Sequence, residues 1–170
     1  PVVNGSEGGC HGGVVVRSRF FASSDGAAAP VAPSATGWTQ ASPWRPPQSP
    51  LGLLEELLWD RPWALLLCCI LLNQTSRAQV DPVLARLLAA FPDAASLASA
   101  DVAQIEELLR PLGLHRRRAR TLIAFSAAFL KGEWRKPRDL PGIGRYGSEA
   151  HELFCRGQWR ELEPHDHALR

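Results

Sequence analysis

The sequence contains no methionine, a single tyrosine, Tyr146, and only two lysines, Lys131 and Lys136, among nineteen basic residues. It starts at Pro1 rather than at an initiator residue, so it reads as a piece of a longer chain whose targeting segment would be out of view. The scarcity of lysine confines amine chemistry to two positions, because arginine stays protonated and is no nucleophile. The four cysteines, Cys10, Cys68, Cys69 and Cys155, include no Cys-x-x-Cys pair, which argues against zinc ribbons and fingers. Cys68 and Cys69 sit inside an apolar run and are expected as small, reduced core residues of an intracellular protein. No apolar run reaches the roughly 18 residues that carry a helix across a bilayer, so no membrane partner is expected. No stretch alternates with period two for long enough to make a strand, and there is no internal repeat.

What is present is leucine and alanine, within a hydrophobic share of 45% of 170 residues. That suits one helical domain with a packed core and a tail. Residues 1–47 hold half of the fourteen glycines and no sustained period; they read as a disordered tail or linker. Residues 48–170 read as the folded domain. Its charge is lopsided. Leu51 to Leu109 carry eight acidic and three basic residues, a balance of −5, whereas His115 to Arg160 carry four acidic and eleven basic, a balance of +7. One half is therefore suited to a polyanion.

Ser49-Pro50 predicts a helix start, with Leu53, Leu54, Leu57 and Leu58 on one face. Asp60 followed by Pro62 predicts a second start, and Trp63 to Leu72 form an almost wholly apolar helix that should be central and buried. Asn73-Gln74-Thr75-Ser76 ends it. A third helix runs to about Phe91, interrupted or restarted at Asp81-Pro82, and Pro92-Asp93 stops it. Asp101-x-x-Gln104 predicts a capping box for a fourth, broken at Pro111-Leu112-Gly113-Leu114. A helix from His115 to about Lys131 has Ala119, Leu122, Ile123, Phe125, Ser126 and Phe129 as its inner stripe. All segments read as helical, so the expected class is all-α.

Leu140-Pro141-Gly142-Ile143-Gly144-Arg145 then predicts a tight hairpin between two short helices. Gly142 and Gly144 can take positive φ and leave no Cβ between backbone and ligand. Amides at such a turn, opening a helix at Arg145, offer a site for a phosphate oxygen.

This turn resembles the helix-hairpin-helix of DNA glycosylases, with its Leu-Pro-Gly-(Val/Ile)-Gly signature and an aspartate about twenty residues later, here Asp166. The resemblance covers about residues 48–170. Pro62-Trp63 to Leu71-Leu72-Asn73-Gln74-Thr75-Ser76 is similar to the central helix and DNA-entering loop of the family. Leu109-Arg110-Pro111-Leu112-Gly113-Leu114, Trp134, Tyr146-Gly147, Phe154-Cys155 and Pro164-x-Asp166-His167 follow in the family's order. Within the superfamily, the set looks like the glycosylase domain of methyl-CpG-binding-domain thymine-DNA glycosylases. It implies a two-lobed helical fold with a cleft between lobes, and a monomeric nuclear repair enzyme that removes thymine or uracil opposite guanine from double-stranded DNA.

Cleaving an N-glycosidic bond builds positive charge on the sugar, which a carboxylate stabilises while orienting water. Asp166 is the candidate; its other reading is a helix cap. Gln74 either caps a helix or fills the hole left by a flipped base, and Leu114 is either a core contact or an apolar wedge. Arg116, Arg117 and Arg118 are either a solvated face or phosphate contacts, and Gly142, Gly144 and Arg145 stand with them at the DNA. Tyr146, Glu55 and Leu72 are implied at the base pocket. His165 and His167 flank Asp166 without a partner cluster, so no metal is expected. The four closely spaced cysteines of an endonuclease III iron–sulphur cluster are not in the sequence, so no cofactor is expected either.

Three features depart from the family pattern. Glu55 stands where relatives present glutamine, Ala168 replaces a cation, and the sequence ends at Arg170, where relatives continue into a closing helix that is here expected to be truncated. The second reading is accordingly a non-catalytic DNA-binding module or an inactive truncated copy. Where strand-cutting relatives place a lysine, this sequence has Tyr146, so a monofunctional enzyme without lyase activity is expected.

Overall fold

Eleven residues, Pro62–Leu72, carry no charged side chain and no side-chain amide, and such a segment is stable only when surrounded. The computed structural model describes residues 44–164 together with Asp166 and Leu169, and in it every residue from 63 to 71 is buried. This is α2, the axis of the fold. The other helices are α1 (Leu54–Leu57), α3 (Arg77–Ala90), α4 (Ala94–Ala98), α5 (Val102–Leu109), α6 (His115–Lys131) and α7 (Arg145–Ala150). Short 3-10 turns lie at Arg110–Leu112 and Pro137–Asp139, and a π turn, His151–Cys155, continues α7. No strand occurs among the described residues, as expected.

Packing follows the apolar stripes. α1, α3, α6 and α7 contact α2, while α4 and α5 lie against α6. Leu65, Leu66, Leu71, Leu84, Leu87, Leu97, Ile105 and Phe125 have less than 2% of their surface exposed, and each such side chain stabilises by roughly 1.5–3 kcal/mol relative to exposure. The Trp63 indole donates to Ser126 Oγ at 3.1 Å, which ties α2 to α6 inside the core.

Several local expectations are corrected. The first helix does not start at Ser49-Pro50. Ser49 instead closes a turn, with the Gly52 N–H donating to its carbonyl at 3.2 Å, and its own N–H and hydroxyl donate to the Glu56 carboxylate. The Ser49 Oγ still accepts from the Leu51 N–H at 3.2 Å, but Gly52 at φ +58° turns the chain out of a helical path, and α1 begins only at Leu54. The N-cap of α2 is Arg61, not Asp60. α3 is continuous through Pro82, held at its start by the Ser76–Gln79 capping box and by burial of Val80, Val83 and Leu84 on either side of the proline. α4 was not foreseen: Asp93 is not only a stop but an N-cap, accepting from the Ser96 N–H at 2.8 Å. Asp101 caps through the Ala103 N–H at 3.3 Å rather than through a box with Gln104.

The expected tail falls on residues outside those described, apart from residues 44–47. Trp44 lies against the body, its indole N–H donating to the Phe154 carbonyl at 3.0 Å. Gly157 makes room for it: a Cβ there would stand 2.6 Å from the indole ring.

Candidate functional site

A cleft of about 510 Å³ opens where α1, the end of α2 and the start of α7 converge. Among its lining residues are Glu55, Leu72, Gln74, Gly142, Gly144, Arg145, Tyr146 and Asp166. Residues far apart in sequence and singled out for one chemistry therefore share one wall.

The hairpin is built by Leu140 and Ile143, both buried, and by a turn in which the Ile143 N–H donates to the Leu140 carbonyl at 3.2 Å. Gly142 takes φ +79°, and a Cβ on it would meet Thr121 Cγ2 at 2.4 Å. Gly144 differs from expectation. Its φ is −91° as the N-cap of α7, and a Cβ there would meet nothing within 4 Å. Arg145 is exposed and pairs with Glu149 at 2.6 Å, a surface contact that holds the side chain only weakly.

Inside the cleft the Tyr146 hydroxyl donates to Glu55 Oε1 at 2.6 Å, and Cys69 Sγ lies 3.8 Å from the same oxygen. Glu55 is 1% exposed. Burial raises its pKa above the usual carboxylate range, and the Tyr146 hydrogen bond opposes that shift without cancelling it. Burial, followed by the Glu55 charge, also raises the Tyr146 phenol. Both shifts favour the protonated forms of the pair.

Gln74, which lines the cleft, and Leu114, which does not, share an unusual backbone. Among the described residues they are the two non-glycine positions with positive φ, +58° and +49°. The left-handed conformation costs an ordinary residue roughly 1–2 kcal/mol, and both side chains are exposed, Leu114 by 59%. Leu114 lies outside the cleft lining, as do Arg116 and Arg117, which are exposed on the first turn of α6. Arg118 departs from its expected place at a phosphate. Its side chain is turned inward, and the guanidinium donates to the carbonyls of Leu112 at 2.8 Å and Asn73 at 2.7 Å and to the Thr75 hydroxyl.

Arg77 escaped the sequence reading. It lines the cleft, donates to the carbonyls of Leu51 and Gly52, and its charge is one of the forces lowering the Glu55 pKa. A cation as the first residue of a helix works against the helix dipole, and that misplacement was the available signal. Asp166 is exposed at the cleft, and its carbonyl accepts from the Leu169 N–H at 3.2 Å. His165, His167 and Ala168 lie outside the described residues. Lys131 ends α6, Lys136 precedes the second 3-10 turn, both are exposed, and neither lines the cleft.

Residues 67–164 match the model of the HhH-GPD superfamily base excision DNA repair protein. The chain belongs to this superfamily. Over 131 residues it is 37% identical to a methyl-CpG-binding domain protein 4-like protein of Arabidopsis thaliana, covering 77% of this chain and 29% of that one. A thymine-DNA glycosylase of Aeropyrum pernix is 36% identical over 103 residues, 54% of this chain and 46% of its own length. The chain thus spans less than half the length of either relative. Among solved structures, a trapped endonuclease III–DNA covalent intermediate superposes with TM-score 0.51 and 27% identity, covering 56% of this chain and 48% of that one. A thermostable thymine-DNA glycosylase superposes with TM-score 0.53 over 58% of this chain and 50% of its own, at 21% identity, and so speaks to the fold alone. The helical architecture is that of HhH-GPD proteins, and the matched span runs from inside α2 through the hairpin.

Proposed function

We propose that this chain is the glycosylase portion of a base excision repair protein that flips thymine or uracil, opposite guanine, out of duplex DNA and hydrolyses its N-glycosidic bond. The observation that carries this reading is the shared lining of one cleft by Asp166, Gln74 and the Tyr146–Glu55 pair, beside the Gly142–Gly144 hairpin. A base inside a duplex is out of reach, so the nucleotide leaves the stack. Gln74 then takes its place against the orphaned guanine, and Leu114 wedges from the other strand. Tyr146 and Leu72 wall the pocket. A protonated Glu55 presents one donor and one acceptor, the same pair that a glutamine amide offers a pyrimidine edge. Asp166 stabilises the cationic sugar and directs water to it. Gly144, open on its Cβ side, lets a phosphate approach the backbone, while Arg116, Arg117 and Arg145 supply sequence-independent attraction.

Two features support the monofunctional form. Tyr146 stands where a Schiff-base lysine would be, and neither Lys131 nor Lys136 lines the cleft. The site we propose works as a monomer on nuclear DNA and uses no metal or other cofactor.

Incubation with end-labelled duplexes carrying G·T, G·U or A·U tests the proposal. Expected are release from G·T and G·U, strand scission only after alkali, and no adduct trapped by borohydride. Duplex binding with no release from any substrate would instead mark a non-catalytic binding module. A borohydride adduct that vanishes in Lys131→Ala or Lys136→Ala would overturn the monofunctional assignment.

A further inference from the structure

Three consecutive arginines open α6, and they do not behave alike. Arg116 and Arg117 are exposed, whereas Arg118 is 6% exposed. One arm of its guanidinium donates to the carbonyls of Leu112 at 2.8 Å and Gly113 at 3.2 Å. The other arm donates to the carbonyl of Asn73 at 2.7 Å and to the hydroxyl of Thr75. These four acceptors are neutral, and they belong to two loops separated by about forty residues of chain. Asn73 and Thr75 bracket Gln74, and Leu112 and Gly113 immediately precede Leu114. The arginine therefore grips the flanks of the two residues whose backbone is left-handed at +58° and +49°.

We propose that Arg118 is a positioning residue that locks the Gln74 and Leu114 loops to each other, so that both side chains are presented to a duplex as one rigid unit. What they enter rests on the glycosylase reading above; that they are coupled rests on the hydrogen bonds alone. A planar fork with separate donors can serve two segments at once, which a lysine ammonium on a flexible stem does less well. The left-handed conformations of Gln74 and Leu114 are minority states that persist only where the surroundings over-determine them. Arg118 supplies that determination from one point. The Thr75 N–H to Leu72 carbonyl bond at 3.1 Å and the Arg118 N–H to Leu114 carbonyl bond at 2.9 Å close each loop locally, but neither bond joins the two. With both arms engaged, Arg118 is not arranged as a phosphate ligand. Burial also lowers its pKa, as suits a cation withdrawn from water.

The test compares the wild type with Arg118→Ala and Arg118→Lys. Amide hydrogen exchange is followed at residues 73–75 and 112–115, with affinities for an abasic-site duplex and an undamaged duplex of the same sequence. In Arg118→Ala, exchange should rise roughly tenfold or more in both loops together, with the second half of α6 unchanged. Affinity for the abasic duplex should fall about tenfold while that for undamaged DNA changes less than twofold, and Arg118→Lys should recover only part of each effect. Should Arg118→Ala fail to fold, Arg118→Lys alone must show the paired rise in exchange. Faster exchange in one loop only, or in neither, overturns the proposal. Equal loss of affinity for both duplexes does so too, since that is the behaviour of a phosphate contact. A wild type that releases no base from any duplex removes the glycosylase reading instead, and the exchange data still decide whether Arg118 couples the loops.

Discussion

The hairpin edge and the Gln74–Leu114 edge each need backbone in the left-handed region, and they reach it by opposite means. At the hairpin the residue is Gly142, which takes φ +79° without steric cost and whose missing Cβ makes room for Thr121. At the other edge the residues are Gln74 and Leu114, which carry side chains into a conformation that disfavours them. The difference separates two uses of a turn. Where only backbone is to be presented, glycine suffices and the fold is relaxed. Where side chains are carried into that conformation, the Arg118 hydrogen bonds brace both loops, as suits the role proposed for Gln74 and Leu114.

Substitutions sharpen this contrast, the largest effect first. Gly142→Ala places a methyl 2.4 Å from Thr121 Cγ2 at positive φ, and should destabilise the fold by about 2–3 kcal/mol in urea unfolding. Gly144→Ala, with open space and φ −91°, should leave stability within about 0.5 kcal/mol and weaken duplex binding only. Equal destabilisation by the two would erase the distinction between a glycine the fold needs and one the ligand needs.

The second effect belongs to the hairpin side. His151, in the π turn after α7, is 3% exposed and packs edge-on to Trp134, and burial depresses its pKa from 6.5 to about 4. Between those values the unfolded chain binds the proton and the folded chain does not, so His151 stabilises fully above 6.5 and progressively less as pH falls toward 4. Unfolding at pH 7 and pH 5 should show a loss on the order of 2 kcal/mol that His151→Phe removes. An unchanged pH profile in that variant would place the titration elsewhere. The Gln74–Leu114 edge, held by an arginine, should show no such dependence.

The third effect is expected at Gln74→Gly. Relief of the left-handed strain, roughly 1–2 kcal/mol, is offset by about 0.5–1 kcal/mol of glycine backbone entropy, leaving a net gain of at most about 1.5 kcal/mol. Affinity for an abasic duplex should nevertheless fall about tenfold, because the side chain proposed to fill the hole is gone. A parallel loss for undamaged DNA would reduce Gln74 to a loop residue.

The same contrast explains what was legible in the sequence. The hairpin was readable because Pro141-Gly142-Ile143-Gly144 is a local signal with one backbone solution, and α2 because an apolar run of that length must be buried. The left-handed state of Gln74 has no such signal, since glutamine does not favour it; tertiary hydrogen bonds impose it. Arg118 was misread with its neighbours as a surface cation. The periodicity held the correction: Arg118 lies four residues before Leu122 and seven before Phe125, on the buried face of α6. The Ser49-Pro50 start failed because Gly52, at φ +58°, turns the chain before a helix can propagate. α4 was missed because its five residues are too few to show a period. Glu55, Tyr146 and Asp166 could be named from motifs, but their meeting in one cleft depends on how α1 and α7 pack on α2.

The most direct measurement is single-turnover base release from a G·U duplex by the wild type and by Asp166→Asn, with duplex affinity measured alongside. A carboxylate that acts on the cationic sugar contributes to the transition state and little to ground-state binding. Expected is a loss of release by about a thousandfold or more, with affinity for the duplex held within a few-fold. Release by Asp166→Asn at a rate near that of the wild type would contradict the assignment of Asp166, and with it the chemistry proposed for this cleft.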